Sequence, residues 1–469
     1  MVNRGQISKN CLPCRKRKLR CDLVPEGCGQ CRRARLKCHG YRDPRDLVFH
    51  DETRSAEQKV VARQATQASH PTAMELGWNV RARYVFFSVY VFEFSHSLGP
   101  VAPFYNRASA LDHLSASLEA TSLAFMAVHL RTTALMHLAS VSYVTAIQRL
   151  SCALTELPSS GAEEILQSIL LLDMYEKMVY RNPQDSASWM SHAQGGMSLL
   201  GPRAQQFASS LTGCQLSARL ITALTVSSGA MGARVPDELM ALRGHLDPFI
   251  NTVKWRFTGI VALVVDLQAD LRNSGDNCTI DLAERAEHLD DQLRNLYRTL
   301  PPSWRPRQIS PVRRDALIFG SYYEIYADHY VTQVTNGIRA MRLLLNNIMS
   351  RHTLRPSPDN IILDRIRDIT HQICATVPQF ILPRAAPENT VGFSPLQSLQ
   401  CCTLLAPLYI ANQVSTDALM RDWIRRCLQH MSETGCMKIA KDVADLMRNK
   451  QDLNYWLVYA MVGSYAFAA

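Results

Sequence analysis

Six cysteines near the N-terminus, Cys11, Cys14, Cys21, Cys28, Cys31 and Cys38, constrain this chain more than any other feature. Their spacing, C-x2-C-x6-C-x6-C-x2-C-x6-C, is also an internal repeat. CLPCRKRKLRC (11–21) and CGQCRRARLKC (28–38) share two Cys, a basic hexapeptide ending Leu-basic, and a final Cys. Arg15 matches Arg32, Leu19 matches Leu36, and Arg20 matches Lys37. Each half is too short to bury a core, so bound metal must replace one.

The donor chemistry selects the metal. Thiolate sulfur suits zinc, which takes four ligands in a closed tetrahedral site at about 2.3 Å per bond. Six Cys cannot fill two separate four-ligand sites. Either one zinc binds and two thiols are left over, or two zincs share two bridging thiolates. Pseudo-twofold symmetry makes a bridging pair equivalent, and the first Cys of each half, Cys11 and Cys28, fits best. Iron–sulfur runs use other spacings. A disulfide framework needs an oxidising compartment, whereas the polar MVNRGQISKN carries no apolar signal sequence. Two zinc ions sharing ligands is the expectation.

These residues resemble the fungal Zn(2)-C6 binuclear zinc-cluster transcription factors, in which two zincs and six Cys hold a DNA-reading module. The resemblance rests on C-x2-C-R-x-R-K-x-R-C-D (11–22), Pro25 in the middle loop, and the second half through Cys38. It implies a nuclear, sequence-specific regulator of RNA polymerase II genes. It further implies that the end of the first helix enters the major groove and reads a CGG triplet. Lys and Arg suit guanine, whose O6 and N7 are adjacent acceptors there. By resemblance Lys18 is the leading base reader and Arg17 its neighbour. Arg15, Arg20, Arg32, Arg33 and Arg35 are assigned to phosphates, which position without specifying. Arg15 to Arg20 are expected to form one or two helical turns. Leu19 and Leu36 are expected to pack the two short helices together, and Asp22 to cap the following turn.

Charge agrees with that module. Residues 1–50 hold thirteen Lys/Arg and four Asp/Glu, net +9 of the chain's +10. Six thiolates and two zinc ions together leave the module near +7, a phosphate-binding footprint.

Residues 41–77 read as a linker. HGYRDPRDLVFHDET (39–53) is close to a segment that often follows the cluster in one subgroup of the family, with His50 where Arg is usual. Val61, Ala65 and Ala68 give barely one heptad, too little for a coiled coil. From Trp78 onward the pattern is helical. Tyr323, Ala327, Tyr330, Val334, Ile338, Met341, Leu345 and Ile348 recur as on one long amphipathic helix, and Leu135, Leu138, Ser142, Ala146 and Ile147 as on a shorter one. Pro-rich breaks fall at 300–312, 355–358 and 383–395. WMSHAQGGMSLLGPR (189–203), the stretch Asn336 to Arg342, and LLAPLYIANQ (404–413) resemble the family's regulatory region more loosely, with Ala406 where Trp is common. Cys152, Cys214, Cys278, Cys374, Cys401, Cys402, Cys427 and Cys436 are expected to be buried free thiols, not ligands. Arg305, Arg307, Arg313 and Arg314 form an acid-free loop, expected to be solvated. The apolar tail from Tyr455 to Ala469 is expected to be a buried terminal helix, being short for a membrane span.

The resulting expectation is a mostly α chain: a binuclear zinc cluster of two short helices (1–40), a linker (41–77) and a large all-helical regulatory domain (78–469). The expected partners are double-stranded DNA with CGG-type half-sites and a second protomer or a different subunit through 78–469, with no membrane. No G-x-S-x-G elbow, G-x-G-x-x-G, phosphate loop or H-E-x-x-H is present, so no enzyme is expected. A thiol-based metal-handling protein would explain the cysteines but not the interleaved Lys/Arg. Members with this linker type often serve a nearby biosynthetic or catabolic gene set.

Overall fold

A computed structural model describes residues 9–41, 76–104, 112–155, 161–180, 189–274, 280–313, 315–352, 361–449 and 453–462. The chain separates into two units, Met1–Glu75 and Leu76–Ala469.

In the first unit the repeat becomes two one-turn helices, α1 (Leu12–Lys16) and α2 (Gly29–Arg33). Each starts directly after the first Cys of its half, in extended conformation at Cys11 and Cys28. Pro13 sits in the first turn of α1, where its missing N–H costs nothing. The Cys28 Sγ accepts from the Cys31 N–H at 3.3 Å and caps α2. Both helices end alike. Lys18 and Arg35 adopt left-handed backbone, φ 55° and 49°. The Lys18 N–H donates to the Arg15 carbonyl (3.1 Å) and the Leu19 N–H to that of Cys14 (2.9 Å); Arg35 and Leu36 repeat this on Arg32 and Cys31. This paired closure usually employs Gly, and a side chain there costs roughly 1–2 kcal/mol. The helical turn expected over 15–20 is therefore shifted toward Cys11 and stops short of Lys18. Leu19 and Leu36 do not pack the helices together: they are 38% and 46% exposed.

The expected linker lies almost wholly outside the described residues, as does its weak heptad. Of that segment Tyr41 is described, and it packs on the cysteine cluster.

The second unit is helical, as its periodicity predicts, around one continuous apolar core running from Ala82 to Val462. The Pro-rich breaks do not split that core. Among the described residues one antiparallel pair interrupts the helices: β1 (Arg307–Ile309) against β2 (Tyr323–Ile325), with Gln308 opposite Glu324. The long helix is His329–His352, so Tyr323 belongs to a strand and not to it. Asp328 starts that helix, its Oδ1 accepting from the Tyr330 N–H at 2.8 Å. The shorter predicted helix is Thr133–Thr155, with Leu135 and Ala146 buried but Leu138 43% exposed.

The stretch Asn336 to Arg342 ties helices together by buried polar contacts. Arg339 pairs with Glu324 on β2 at 3.1 Å, both buried. Asn336 donates to Thr376 (2.8 Å), and Arg342 and Asn346 reach Asp290 at 2.8 and 3.0 Å. Such charges stay inside because each finds a partner. In the stretch from Trp189, Gly196 lets two helices approach closely: a Cβ there would lie 2.9 Å from Leu220 Cδ1. No helix among the described residues is long and apolar enough to cross a membrane.

Candidate metal centre and nucleic-acid interface

The six cysteines converge into two overlapping tetrads, Cys11–Cys14–Cys21–Cys28 and Cys11–Cys28–Cys31–Cys38, with the sulfurs of each within 4.8 Å of one another. The shared members are Cys11 and Cys28, the expected first Cys of each half. The Sγ separations are 3.6 Å for Cys11–Cys28, 3.5 Å for Cys14–Cys28 and 3.6 Å for Cys11–Cys31. A disulfide needs about 2.05 Å. A tetrahedral zinc with bonds of about 2.3 Å holds its sulfurs about 3.8 Å apart, so these tetrads fit the ion. Five of the six thiols are buried, and Cys38 is half-buried.

Burial raises the Cys14 and Cys31 thiols, Cys31 to about 12. Burial acts on Cys28 too, but the Cys31 N–H and the neighbouring thiols outweigh it and lower that thiol. The thiolate form that a metal requires is thus supported at one shared position by the backbone itself.

Two side chains brace the cluster. Asp22 Oδ2 accepts the Gly29 N–H at 2.8 Å, so it braces the start of α2 seven residues on and not the turn directly following it. A Cβ on Gly29 would stand 2.5 Å from that oxygen, so any side chain there would displace the carboxylate. The Tyr41 hydroxyl donates to the Val24 carbonyl, closing the middle loop onto the end of the module. Sequence reasoning placed Tyr41 in the linker; an aromatic three residues after the last Cys was the available signal.

Arg17, Lys18, Arg20, Arg32, Arg33 and Arg35 are all exposed, and among the described residues none has a carboxylate partner. Arg15 is half-buried, with its Nε sheltered and without an acceptor. Lys18 and Arg35 are symmetry equivalents at the left-handed helix ends.

In the helical unit the other cysteines divide. Cys214, Cys374, Cys401, Cys402 and Cys427 are buried thiols outside any disulfide, whereas Cys152 and Cys436 are exposed, against expectation. Cys278 lies outside the described residues. Cys436 occupies a left-handed turn just past the helix Ala418–Glu433 that buries Cys427, so the two do not share an environment. Arg305, Arg307 and Arg313 are exposed, with Arg307 on β1, and Arg314 lies outside the described residues. The terminal helix Tyr455–Met461 is buried, and 463–469 lie outside the described residues.

A small module folded around two overlapping cysteine tetrads and studded with exposed cations is a zinc-dependent nucleic-acid-binding domain in class. Residues 9–47 match the family model of the fungal Zn(2)-Cys(6) binuclear cluster domain, so the chain carries a member of that domain family and binds two zinc ions. That domain indicates a fungal DNA-binding transcription regulator; its family comprises transcription factors, not enzymes. No curated protein and no solved structure matches the chain.

Proposed function

We propose that the protein is a nuclear regulator of RNA polymerase II genes that reads CGG-type triplets in the major groove. The observation that carries this reading is the placement of Lys18. It stands exposed at the left-handed end of α1, one residue beyond Arg17 and clear of any carboxylate among the described residues. A cation there projects past the helix end, where the guanine O6 and N7 edge accepts two hydrogen bonds. Lys18 is the base reader, with Arg17 beside it. Arg15, Arg20, Arg32, Arg33 and Arg35 hold phosphates and fix the approach. All six cysteines ligate, Cys11 and Cys28 bridging both ions. The zinc cluster (1–40) is joined by the linker (41–77) to the regulatory domain (78–469). One triplet carries too little information to define a genomic site, so binding is bivalent, through self-association of 78–469 or a different partner subunit. The targets on this reading are a biosynthetic or catabolic gene set.

Selection of random duplexes by the full-length protein tests this. CGG triplets, paired or clustered, should be enriched. Enrichment of an unrelated motif, or none above the non-specific background, overturns the reading.

A further inference from the structure

A cavity of about 330 Å³ lies in the helical unit, walled mainly by the helices Leu211–Met231 and Val253–Ser274. Its lining sets Trp255, Tyr330, Ile250 and Phe249 beside hydroxyl and amide groups, and it includes the basic side chains Arg219 and Lys254 together with His96. No Asp or Glu lines it.

A guanidinium in such surroundings needs acceptors, and the protein supplies Arg219 poorly. Its Nη1 is sheltered and has no hydrogen-bond partner. Its Nη2 faces the Met174 Sδ at 3.6 Å, a weak acceptor. Asp173, whose charge reaches Arg219, is committed to Lys177 at 2.8 Å, both buried. Lys254 is lowered to about 8, first by burial and then by the positive charge of Arg219. An anion placed near both cations would relieve their repulsion.

The wall is built rigidly. The Arg243 guanidinium stacks on the Trp255 ring at 3.8 Å, and the Trp255 Nε1–H donates to Asp247 Oδ1 at 2.7 Å. Phe249 and Leu211, 60% and 77% exposed, also line the cavity and mark its mouth. A volume of 330 Å³ lies at the small end of ligand sites, which run from about 300 to 1,000 Å³. That suits a compact acid, not a nucleotide or peptide.

We propose that this cavity binds a small monocarboxylate with an aromatic or similarly sized apolar body, its carboxylate held by Arg219 and Lys254. The aromatic side of the lining, Phe249, Trp255 and Tyr330, suits an apolar body behind the anionic group. Such a ligand would make the helical unit a sensor. The binding claim does not depend on the DNA reading.

Isothermal titration calorimetry on the full-length protein, with 3-phenylpropionate and its neutral amide as probes, tests it. The acid should bind at least about tenfold more tightly than the amide, as expected for a charge-assisted hydrogen bond. Arg219→Gln should weaken the acid by about tenfold or more and leave the amide within about twofold. Ala218→Phe, which fills the cavity and keeps both cations, should abolish binding of the acid. If Arg219→Gln does not fold, the acid–amide comparison and Ala218→Phe decide alone. Equal affinity for acid and amide overturns the proposal, as does acid binding that survives Ala218→Phe, or no acid binding at millimolar concentration. Because DNA binding is not read out, each of these results leaves the DNA reading untouched.

Discussion

Replacing Cys28 by Ser removes a sulfur that belongs to both tetrads, whereas replacing Cys14 or Cys21 touches only one. Structural zinc contributes about 10–16 kcal/mol to a small domain through four ligands, or on the order of 2.5–4 kcal/mol per ligand. Cys14→Ser or Cys21→Ser should therefore weaken one site by about that amount and leave the Cys11–Cys28–Cys31–Cys38 tetrad whole. Cys11→Ser or Cys28→Ser weakens both sites, about twice the loss, in a module with no apolar core to fall back on. Cys28 also caps α2 through the Cys31 N–H, so its loss frees that helix end as well. The assay is native mass spectrometry of the full chain with increasing chelator. Wild type should carry two zinc ions, Cys14→Ser and Cys21→Ser should pass through a one-zinc species, and Cys11→Ser and Cys28→Ser should lose both together. One zinc in the wild type, or a persistent one-zinc species in Cys28→Ser, refutes the shared-ligand argument.

Lys18→Ala should weaken binding to CGG sites by about 1–3 kcal/mol and relax preference at the contacted guanine, while Arg20→Ala should weaken all sequences alike and lower the salt slope by about one. Lys18→Gly should lose the same preference yet hold zinc at least as well, because glycine removes the roughly 1–2 kcal/mol cost of the left-handed backbone; a Gly variant less stable than the Ala variant would contradict this. The fragment 1–77 should sediment as a monomer at micromolar concentration and bind single half-sites weakly, and a tight dimer there would return dimerisation to the linker. Arg339→Leu strands the buried Glu324 carboxylate and should destabilise the helical unit by about 3–5 kcal/mol in denaturant melts, with an unchanged midpoint counting against a structural role. Burial opposes ionisation of Asp328, but hydrogen bonds from His329 (3.1 Å), His96 (3.2 Å) and the Tyr330 N–H win and hold its carboxyl far below the ordinary range. A depressed carboxylate stabilises above its unfolded pKa and loses that contribution as pH falls, so the advantage over Asp328→Asn, about 1 kcal/mol near neutrality after allowance for exposure, should shrink below about pH 4 in thermal melts.

The metal centre was legible in the chain because ligand chemistry acts through spacing. A tetrahedral ion needs four sulfurs, six are present, and their repeat symmetry limits the shared pair to equivalent positions, of which the first of each half, Cys11 and Cys28, is the pair both tetrads share. Asp22 reaches Gly29 seven residues on, beyond the turn it was expected to cap, whereas the helical character of the second unit was legible, since periodicity is local. The helix ends at Lys18 and Arg35 were not, because the usual Gly signal is missing and metal ligands on either side hold a backbone that lysine and arginine rarely adopt. Nor was the exposure of Leu19 and Leu36, whose apolar character suggests packing in a module that has metal where a core would be. Tyr323 fell into helical register by coincidence, and only pairing with β1 makes it a strand; the Asp328 cap was the clue to the true start. Tertiary structure alone decided which buried charges pair and where the cavity lies. Arg219, Phe249, Lys254 and Tyr330 are scattered across more than a hundred residues and meet only when their helices pack. A spacing rule sees neighbours a few residues apart. An unsatisfied guanidinium exists only once the whole core has closed around it.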